Sequence, residues 1–464
     1  MDIIVQGDKN IRSILSRTYD KSICYHYSQF IIRQEVEAGE LLLNTVTGEV
    51  ILLSPEEYSA IFYSPSGNED EIISQLVQYG YLVPEGCEED KNVEKLRQVL
   101  RIRRNQNKII NFYSILPTTA CNARCFYCFE YGIKQKTMST ETAERVVQYI
   151  ADHHGNSRVT LAWFGGEPSL GTKCIDYICT RMRELGIDYI SQMVSNAYIF
   201  DRDMVRHAKD LWKLKTIQIT LDGTEKVYNK VKAYVGNPEN PYQRVLRNIQ
   251  LFLDEEIKVN IRLNMDNHNA SNLSELIDEL RERFYGQKYL SIYIRQLKEN
   301  AGEKPIVHNE KDKEQLKQWY NGLQDKLEKS GWEQIWKFAM PKIRLYTCMA
   351  DDTYSVQITP DGVLSKCEDY IYEHVVGSLD KGITNHNVEE WWRERIHFDS
   401  CKQCPLLPSC SQLLKHCPNR SNECDEYDRQ RRIRLCKMHM QKAYKDWLKV
   451  KQETPEQENK VDKK

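Results

Sequence analysis

Three cysteines fall within eight residues, Cys121-Asn122-Ala123-Arg124-Cys125-Phe126-Tyr127-Cys128, directly after the apolar, strand-like run from Ile109 to Leu116. Thiolates suit iron–sulfur clusters. Three of them are one ligand short for a cubane's four irons, so a cluster held here keeps one iron open to a small molecule, as a catalytic metal site keeps an open position. A structural zinc site or three buried thiols are the alternatives. Zinc would want a fourth ligand nearby, and none lies within several residues. Of fifteen cysteines, eight more crowd the carboxyl-terminal third: Cys348, Cys367, Cys401, Cys404, Cys410, Cys417, Cys424 and Cys436. Only Cys174 and Cys179 lie between the two sets.

Without a secretion signal, this usage favours metal binding over a disulfide scaffold. The start of the chain, Met1-Asp2-Ile3-Ile4-Val5-Gln6-Gly7-Asp8, lacks the regions of a signal peptide. No apolar run approaches a membrane span, so a soluble cytoplasmic protein is expected, with no membrane partner. The 65 basic and 67 acidic side chains leave a net charge of -2, which gives no electrostatic case for nucleic acid. A length of 464 residues allows about three domains.

Residues 28–90 read as a small unit. Leu41-Leu42-Leu43 and Val50-Ile51-Leu52-Leu53 flank a Gly-containing loop and predict a hairpin. Ser54-Pro55-Glu56-Glu57 carries an N-cap, a first-turn proline and a capping-box glutamate. A second helix is expected from Glu69 to Tyr79, closed by Gly80, with Tyr81-Leu82-Val83 as a last strand. The charged stretch from Glu88 to Asn107 reads as a helical linker.

From Ile109 the pattern alternates. Strands are expected at Ile109 to Leu116, Val159 to Phe164, a run ending near Val194, Thr216 to Leu221, Lys258 to Met265 and Leu290 to Leu297, with helices between them. That order argues a parallel sheet with crossover helices, whose ligands gather at the carboxyl ends of the strands. Four such ends carry polar or glycine residues: Gly165-Gly166-Glu167, Ser195-Asn196, Asp222-Gly223 and, within the fifth strand, Arg262 and Asn264. Cys24, Cys87, Cys174 and Cys179 read as small hydrophobes. Residues 301–340, with Trp319, Trp332 and Trp336, read as amphipathic connecting helices.

The C-x3-C-x2-C spacing, with an aromatic residue before the last cysteine, resembles the signature of the radical S-adenosylmethionine (SAM) enzymes. Trp163-Phe164-Gly165-Gly166-Glu167-Pro168 resembles that family's GGE motif. The resemblance implies a partial (β/α)6 barrel and a [4Fe–4S] cluster on Cys121, Cys125 and Cys128, whose open iron is chelated by the SAM amino and carboxylate groups. Tyr127, Gly165, Gly166, Glu167, Ser195, Asn196, Asp222 and Arg262 would then line the SAM pocket. Glu167 would accept from the SAM ammonium, and Arg262 would face either the SAM carboxylate or an internal ion pair.

The carboxyl-terminal pattern, Cys348-x13-Gly362-x4-Cys367 followed by Cys401-x2-Cys404-x5-Cys410, resembles the SPASM extension of radical SAM peptide maturases. It departs from that pattern at Cys417, seven residues on, and in the additional Cys424. Eight thiols satisfy two auxiliary [4Fe–4S] clusters, one expected on Cys348, Cys367, Cys417 and Cys424, the other on Cys401, Cys404, Cys410 and Cys436; a zinc ribbon is the alternative. Related formylglycine maturases place an acid directly after the second of these cysteines, which points to Glu368, with Asp369 next to it, as a base.

The fold expected is therefore α/β: a winged-helix-like peptide-recognition domain with its linker (1–105), a radical SAM partial barrel (106–300), connecting helices (301–340), an auxiliary-cluster domain (341–440) and a tail (441–464). The resemblance implies capture of a precursor peptide by its leader, a flavodoxin or ferredoxin type reductant, and installation of a thioether or carbon–carbon crosslink. A sulfatase-type formylglycine maturase and an iron–sulfur electron-transfer protein without radical chemistry are the competing readings. Glu167 and its two glycines tell against the last.

Overall fold

The structure is a computed structural model that describes residues 1–58, 69–106, 109–297, 309–331, 340–418 and 424–453. Trp332, Trp336 and the tail beyond residue 453 lie outside the described residues.

The amino-terminal part opens with β1 (Asp2–Val5), α1 (Lys9–Leu15), β2 (Tyr25–Tyr27), β3 (Ile31–Val36), β4 (Gly39–Asn44) and β5 (Glu49–Leu53). The expected hairpin is β4–β5, paired from Glu40↔Leu53 to Asn44↔Glu49. It sits inside an antiparallel sheet of order β1-β5-β4-β3, two strands larger than the sequence suggested. Ser54 and Glu57 form the foreseen reciprocal cap: Ser54 N donates to Glu57 Oε2 at 2.9 Å, and Glu57 N to Ser54 Oγ at 3.2 Å. Helix α2 (Glu69–Gln78) ends at Gly80, whose φ of +73° suits a residue without Cβ. The last strand, β6 (Leu82–Pro84), pairs with β2 and not with the hairpin.

The stretch expected as a linker is a packed strut. Helix α3 (Glu89–Arg104) buries Val93, Leu96 and the whole Arg97 side chain. Arg97 Nη2 donates to the carbonyls of Leu407 (2.7 Å) and Pro408 (2.9 Å), and Nε to that of Arg344 (3.2 Å). The amino-terminal sheet also packs on the carboxyl-terminal segment. Ile32, Leu41, Leu43, Val50 and Leu52 share one apolar cluster with Leu406, Cys436 and Met440.

The central layer follows the predicted alternation. It runs β7 (Phe112–Thr118), α4 (Thr140–His153), β8 (Val159–Gly165), α5 (Thr172–Glu184), β9 (Tyr189–Ser195), α6 (Arg202–Asp210), β10 (Leu214–Leu221), α7 (Glu225–Lys232), α8 (Pro241–Asp254), β11 (Lys258–Met265), α9 (Ala270–Phe284) and β12 (Leu290–Gln296). Strands β7 to β12 are parallel in sequence order, and the core between sheet and helices takes in Cys174 and Cys179 as the small hydrophobes expected. Cys24, by contrast, is exposed. Helix α10 (Glu310–Lys329) turns Leu316, Leu323 and Leu327 inward, with Trp319 against the same core.

The sheet continues past β7. Strand β13 (Ser355–Ile358) lies parallel to β7, and β14 (Val363–Ser365), β15 (Gly377–Ser378) and β16 (Gly382–Ile383) add antiparallel strands, so the carboxyl-terminal segment extends the barrel sheet. Helices α11 (His386–Arg393) and α12 (Glu426–Glu453) complete the described elements, with α12 packed across β1 and β3.

Arg97→Leu removes a buried guanidinium from three carbonyls and leaves Arg344 O without a donor, while Leu407 O keeps Cys410 N and Pro408 O keeps Arg344 N. It is expected to lower stability by about 3–5 kcal/mol, the cost of breaking a buried charged contact, read as a lower denaturant midpoint. A variant as stable as the parent would show that water replaces the guanidinium.

Candidate active site

The carboxyl ends of the parallel strands converge on the loop that carries Cys121, Cys125 and Cys128. Beyond Thr118 the chain runs antiparallel to residues 136–137, with Thr119 N donating to Lys136 O at 2.9 Å. The end of β8 is pressed onto this loop: Gly166 N donates to Thr118 O (3.2 Å) and Glu167 N to Ala120 O (2.9 Å). A Cβ on Gly165, at φ +111°, would lie 2.4 Å from Thr118 O, and one on Gly166 would lie 2.4 Å from Ala120 O. The approach these glycines permit is therefore backbone on backbone.

Glu167 is buried at 1% exposure with no cation against it. Its Oε1 accepts from Ser169 N (3.1 Å), Ser169 Oγ and Ser195 Oγ (2.7 Å), and Oε2 accepts from Asn196 N (2.7 Å). Burial pushes this carboxyl up, and the four donors pull it back. Asn196 Nδ2 reaches Asn122 Oδ1 at 2.7 Å, tying the end of β9 to the cysteine loop. Ser195, Asn196 and Glu167 are thus one network beside the triad.

Among the described residues, no three or more His, Cys, Asp or Glu side chains already close on a point as a finished metal site. The fit to a cluster rests on the chemistry of the donors. Burial, then Glu167, pushes the Cys121 thiol up to about 12; burial, then Glu130, pushes Cys128 up to about 11; burial also raises Cys125. Three grouped, desolvated thiols with no disulfide partner suit a ligand that replaces their protons with metal.

Asp222, at the end of β10, meets Tyr127 of the cysteine loop: Tyr127 Oη donates to Asp222 Oδ1 at 2.7 Å. Lys232 Nζ lies 3.1 Å from Asp222 Oδ2 and 3.2 Å from Tyr127 Oη. Lys232 escaped the sequence reading because a basic residue closing a helix looks like ordinary complementation of the helix dipole. On β11, Arg262 keeps a buried Nε and Asn264 a buried Oδ1 without hydrogen-bond partners among the described residues, whereas Asp222 Oδ2 faces the Lys232 ammonium. An unsatisfied donor and an unsatisfied acceptor on one strand fit a polar ligand such as SAM.

The second site feature comes from the carboxyl-terminal segment. Glu368 is half-buried, and its Oε1 accepts from Ser114 Oγ of β7 at 2.7 Å. Burial pushes its carboxyl up to about 7. Glu130, two residues past Cys128, interacts with it; burial, then Glu368, raises Glu130 to about 8, and its Oε2 is buried without a partner. Glu130 was not legible in sequence, where a lone acid between Phe129 and Tyr131 reads as loop surface. Asp369 is half-buried, and its backbone N–H bonds to the Cys367 sulfur.

The remaining thiols form two sets. Cys348, Cys367 and Cys417 act on one another. Cys401, Cys404 and Cys410 border one apolar cluster, and Cys424 interacts with all three. This differs from the expected partition, which put Cys424 with Cys348. Cys436, expected beside Cys401, is buried on α12 in the cluster with Leu406, Met440 and Tyr444, with Cys404 at its margin.

Residues 115–280 match the Radical SAM superfamily. The matched residues carry the Cys121 loop, Glu167 and strands β8 to β11. It is 25% identical over 168 residues to the Fe-coproporphyrin III synthase of Methanosarcina barkeri, an alignment that covers 36% of this chain and 39% of that protein. It is 22% identical over 328 residues to the Cysteine-type anaerobic sulfatase-maturating enzyme of Clostridium novyi, covering 62% and 83%. The chain therefore spans about two-fifths of the first of these relatives. The solved structure of native anSMEcpe with bound AdoMet and Cp18Cys peptide superposes with a TM-score of 0.51 at 16% identity, over 74% of this chain and all of that one. At that identity the likeness is one of fold. The radical SAM superfamily implies a [4Fe–4S] cluster and SAM, and the Cys121 loop and the cleft beside Glu167 are the parts of this enzyme that fit them.

Gly166→Ala forces a methyl against two carbonyl oxygens in rigid backbone and is expected to cost about 1–3 kcal/mol. Gly322→Ala, on α10 with nothing within 4 Å of its Cβ, should instead stabilise by roughly 0.5–1 kcal/mol. Thermal unfolding of the two variants reads the contrast, and equal shifts would mean that the β8 end relaxes freely.

Proposed function

We propose that this radical SAM enzyme modifies a ribosomally made precursor peptide, closing a thioether from a cysteine sulfur to a peptide carbon, with a carbon–carbon crosslink as the nearest variant. The observation that carries the reading is the acid supplied by the cysteine-rich segment. Glu368 turns to Ser114, on the strand that leads into the Cys121 loop, so a carboxylate from that segment stands against β7 and interacts with Glu130, two residues past Cys128. The fold shared with a structure holding AdoMet and a peptide supports a peptide as the second ligand.

Cys121, Cys125 and Cys128 would hold the SAM-binding cluster. When bound, it supplies one electron for reductive cleavage of SAM, giving the 5′-deoxyadenosyl radical that abstracts hydrogen from the peptide. The carboxyl-terminal thiols would hold two auxiliary [4Fe–4S] clusters, which supply a one-electron acceptor. This chain's own residues do the rest. The free lone pair of Glu167 Oε2 orients the SAM ammonium, and Arg262 Nε faces its carboxylate. Tyr127 and Asp222 wall the cleft. Glu368 Oε2 takes the proton released as the crosslink closes, with Asp369 next in line. A flavodoxin or ferredoxin type protein is the proposed reductant.

The amino-terminal sheet is the proposed leader site. Among the described residues no strand pairs with the outer edge of β3, and an extended peptide adds to such an edge through main-chain hydrogen bonds. The competing formylglycine reading is favoured by the likeness to the sulfatase-maturating enzyme, and product chemistry separates the two. A crosslinked peptide retains its sulfur and loses only hydrogen, whereas formylglycine made from cysteine loses sulfur and gains an aldehyde.

Two measurements test this function. Glu368→Gln keeps shape and removes basicity. It is expected to go on forming 5′-deoxyadenosine with peptide bound, while crosslinked product falls by roughly 10²–10⁴-fold, the range for a lost general base; unchanged product in both Glu368→Gln and Asp369→Asn would remove this turn from the proton transfer. Adding leader to the intact enzyme should protect backbone amides at 31–36 from hydrogen exchange. Binding that leaves these amides untouched would place the leader elsewhere.

A further inference from the structure

Lys232 is 4% exposed, and its ammonium sits among Asp222, Tyr127 and Tyr228. Burying an ammonium is costly unless anions compensate it. One anion is in contact, Asp222 at 3.1 Å. The backbone holds the group there: Arg124 N, inside the cysteine loop, donates to Lys232 O at 2.8 Å, and Val235 N donates to Asn122 O at 2.9 Å. Ala233, left-handed at φ +42°, makes the turn that lets both bonds form. The end of α7 is thus stitched to the loop that carries the three thiols.

The charge reaches those thiols. Burial raises Cys125 and Cys128, and Lys232 pulls both in the opposite direction; for Cys121 no cation does so. Glu167, Asp222 and, beside Cys128, Glu130 are the acids nearby. A cubane held by three thiolates is already anionic at rest and gains another negative charge on reduction. In a low-dielectric site a fixed cation beside it favours the reduced form, and a fixed anion opposes it.

We propose that Lys232 and Asp222 are an electrostatic pair that sets the reduction potential of the cluster on Cys121, Cys125 and Cys128, Lys232 raising it and Asp222 lowering it. Lys232 acts here as a positioning residue, holding Tyr127 and the loop while supplying the charge. The inference rests on the radical SAM assignment of the Cys121 loop.

The test is a redox titration of the SAM-binding cluster, followed by its electron paramagnetic resonance signal in protein reconstituted without oxygen. Cys348, Cys367, Cys401 and Cys404 are replaced by Ala in the parent and in every variant, so that each auxiliary set keeps fewer than three of its thiols and the auxiliary signals are absent. Lys232→Met is expected to shift the potential down, Asp222→Asn to shift it up, and Lys232→Arg to leave it near the parent. Tyr127→Phe, which removes the hydroxyl and no charge, should move it less than either charge change. A merely structural role would weaken iron retention in the variants without opposite shifts. Equal potentials in Lys232→Met and the parent, or a downward shift in Asp222→Asn, overturn the proposal. If Lys232→Met fails to hold iron, Asp222→Asn decides alone, because it keeps the lysine. Failure of the parent to bind iron at the triad would instead reject the cluster assignment.

Discussion

The buried carboxylate of Glu167 is the joint on which the cleft depends. A carboxylate taken from water without a cation is stable only if donors satisfy it, and here the donors come from Ser169, Ser195 and Asn196. They come from two pieces of chain, Ser169 from the turn after β8 and Ser195 with Asn196 from the end of β9, so one group fixes the relative positions of β8, its following turn and β9. The same segment bonds the cysteine loop through Ala120 O, and Asn196 adds a second bond through Asn122. The loop's position is therefore set before any ligand arrives. Binding then does not have to be spent on ordering it.

The amino-terminal unit is joined to the rest through more than a tether. Arg97 is bonded to Leu407 and Pro408, Thr45 Oγ1 donates to Pro405 O, and the β4–β5 hairpin shares its apolar face with α12. The residues beneath that hairpin, Leu406 and Cys404, belong to the segment of the Cys401 set. A peptide bound on the β3 edge would sit on a platform continuous with the auxiliary thiols. The β3 edge and these thiols are built on one packed body, so removing residues 28–90 would strip the apolar shell from Cys404 and Cys436.

Much of this was readable from the residues. Periodicity placed the six parallel strands to within a few residues, because fully buried strands carry near-continuous apolar runs between clear caps. The triad and Gly165-Gly166-Glu167 stood out because local spacing encodes local geometry. What was missed is long-range. The strut role of α3 was hidden, because a charged helix looks solvated until the carbonyls of residues 344, 407 and 408 are known to meet Arg97. The placement of Cys424 went astray for a similar reason: spacing along the chain cannot show how the segment after Cys410 folds back. Lys232 and Glu130 carry no local signature, since their chemistry arises from burial against partners that spacing does not pair with them, Asp222 and Tyr127 for the one and Glu368 for the other.

The extension of the sheet by β13 explains how distant chemistry reaches the cleft. An open parallel sheet ends in strand edges whose unpaired amides invite association, and β7, which carries the cysteine loop, would be such an edge. Pairing Ser355 to Ile358 against Phe112 to Ile115 closes it with chain from the carboxyl-terminal segment. The following hairpin, Gln357↔Ser365 and Ile358↔Leu364, then sets the direction of Cys367, two residues past its end. With the register of β13 on β7 fixed, Glu368 falls level with Ser114 in the middle of β7. A slip of one residue would turn that side chain to the opposite face. The same pairing that protects an edge thereby fixes where the acid stands, and it does so with main-chain bonds that a change of side chain at Glu368 would leave intact.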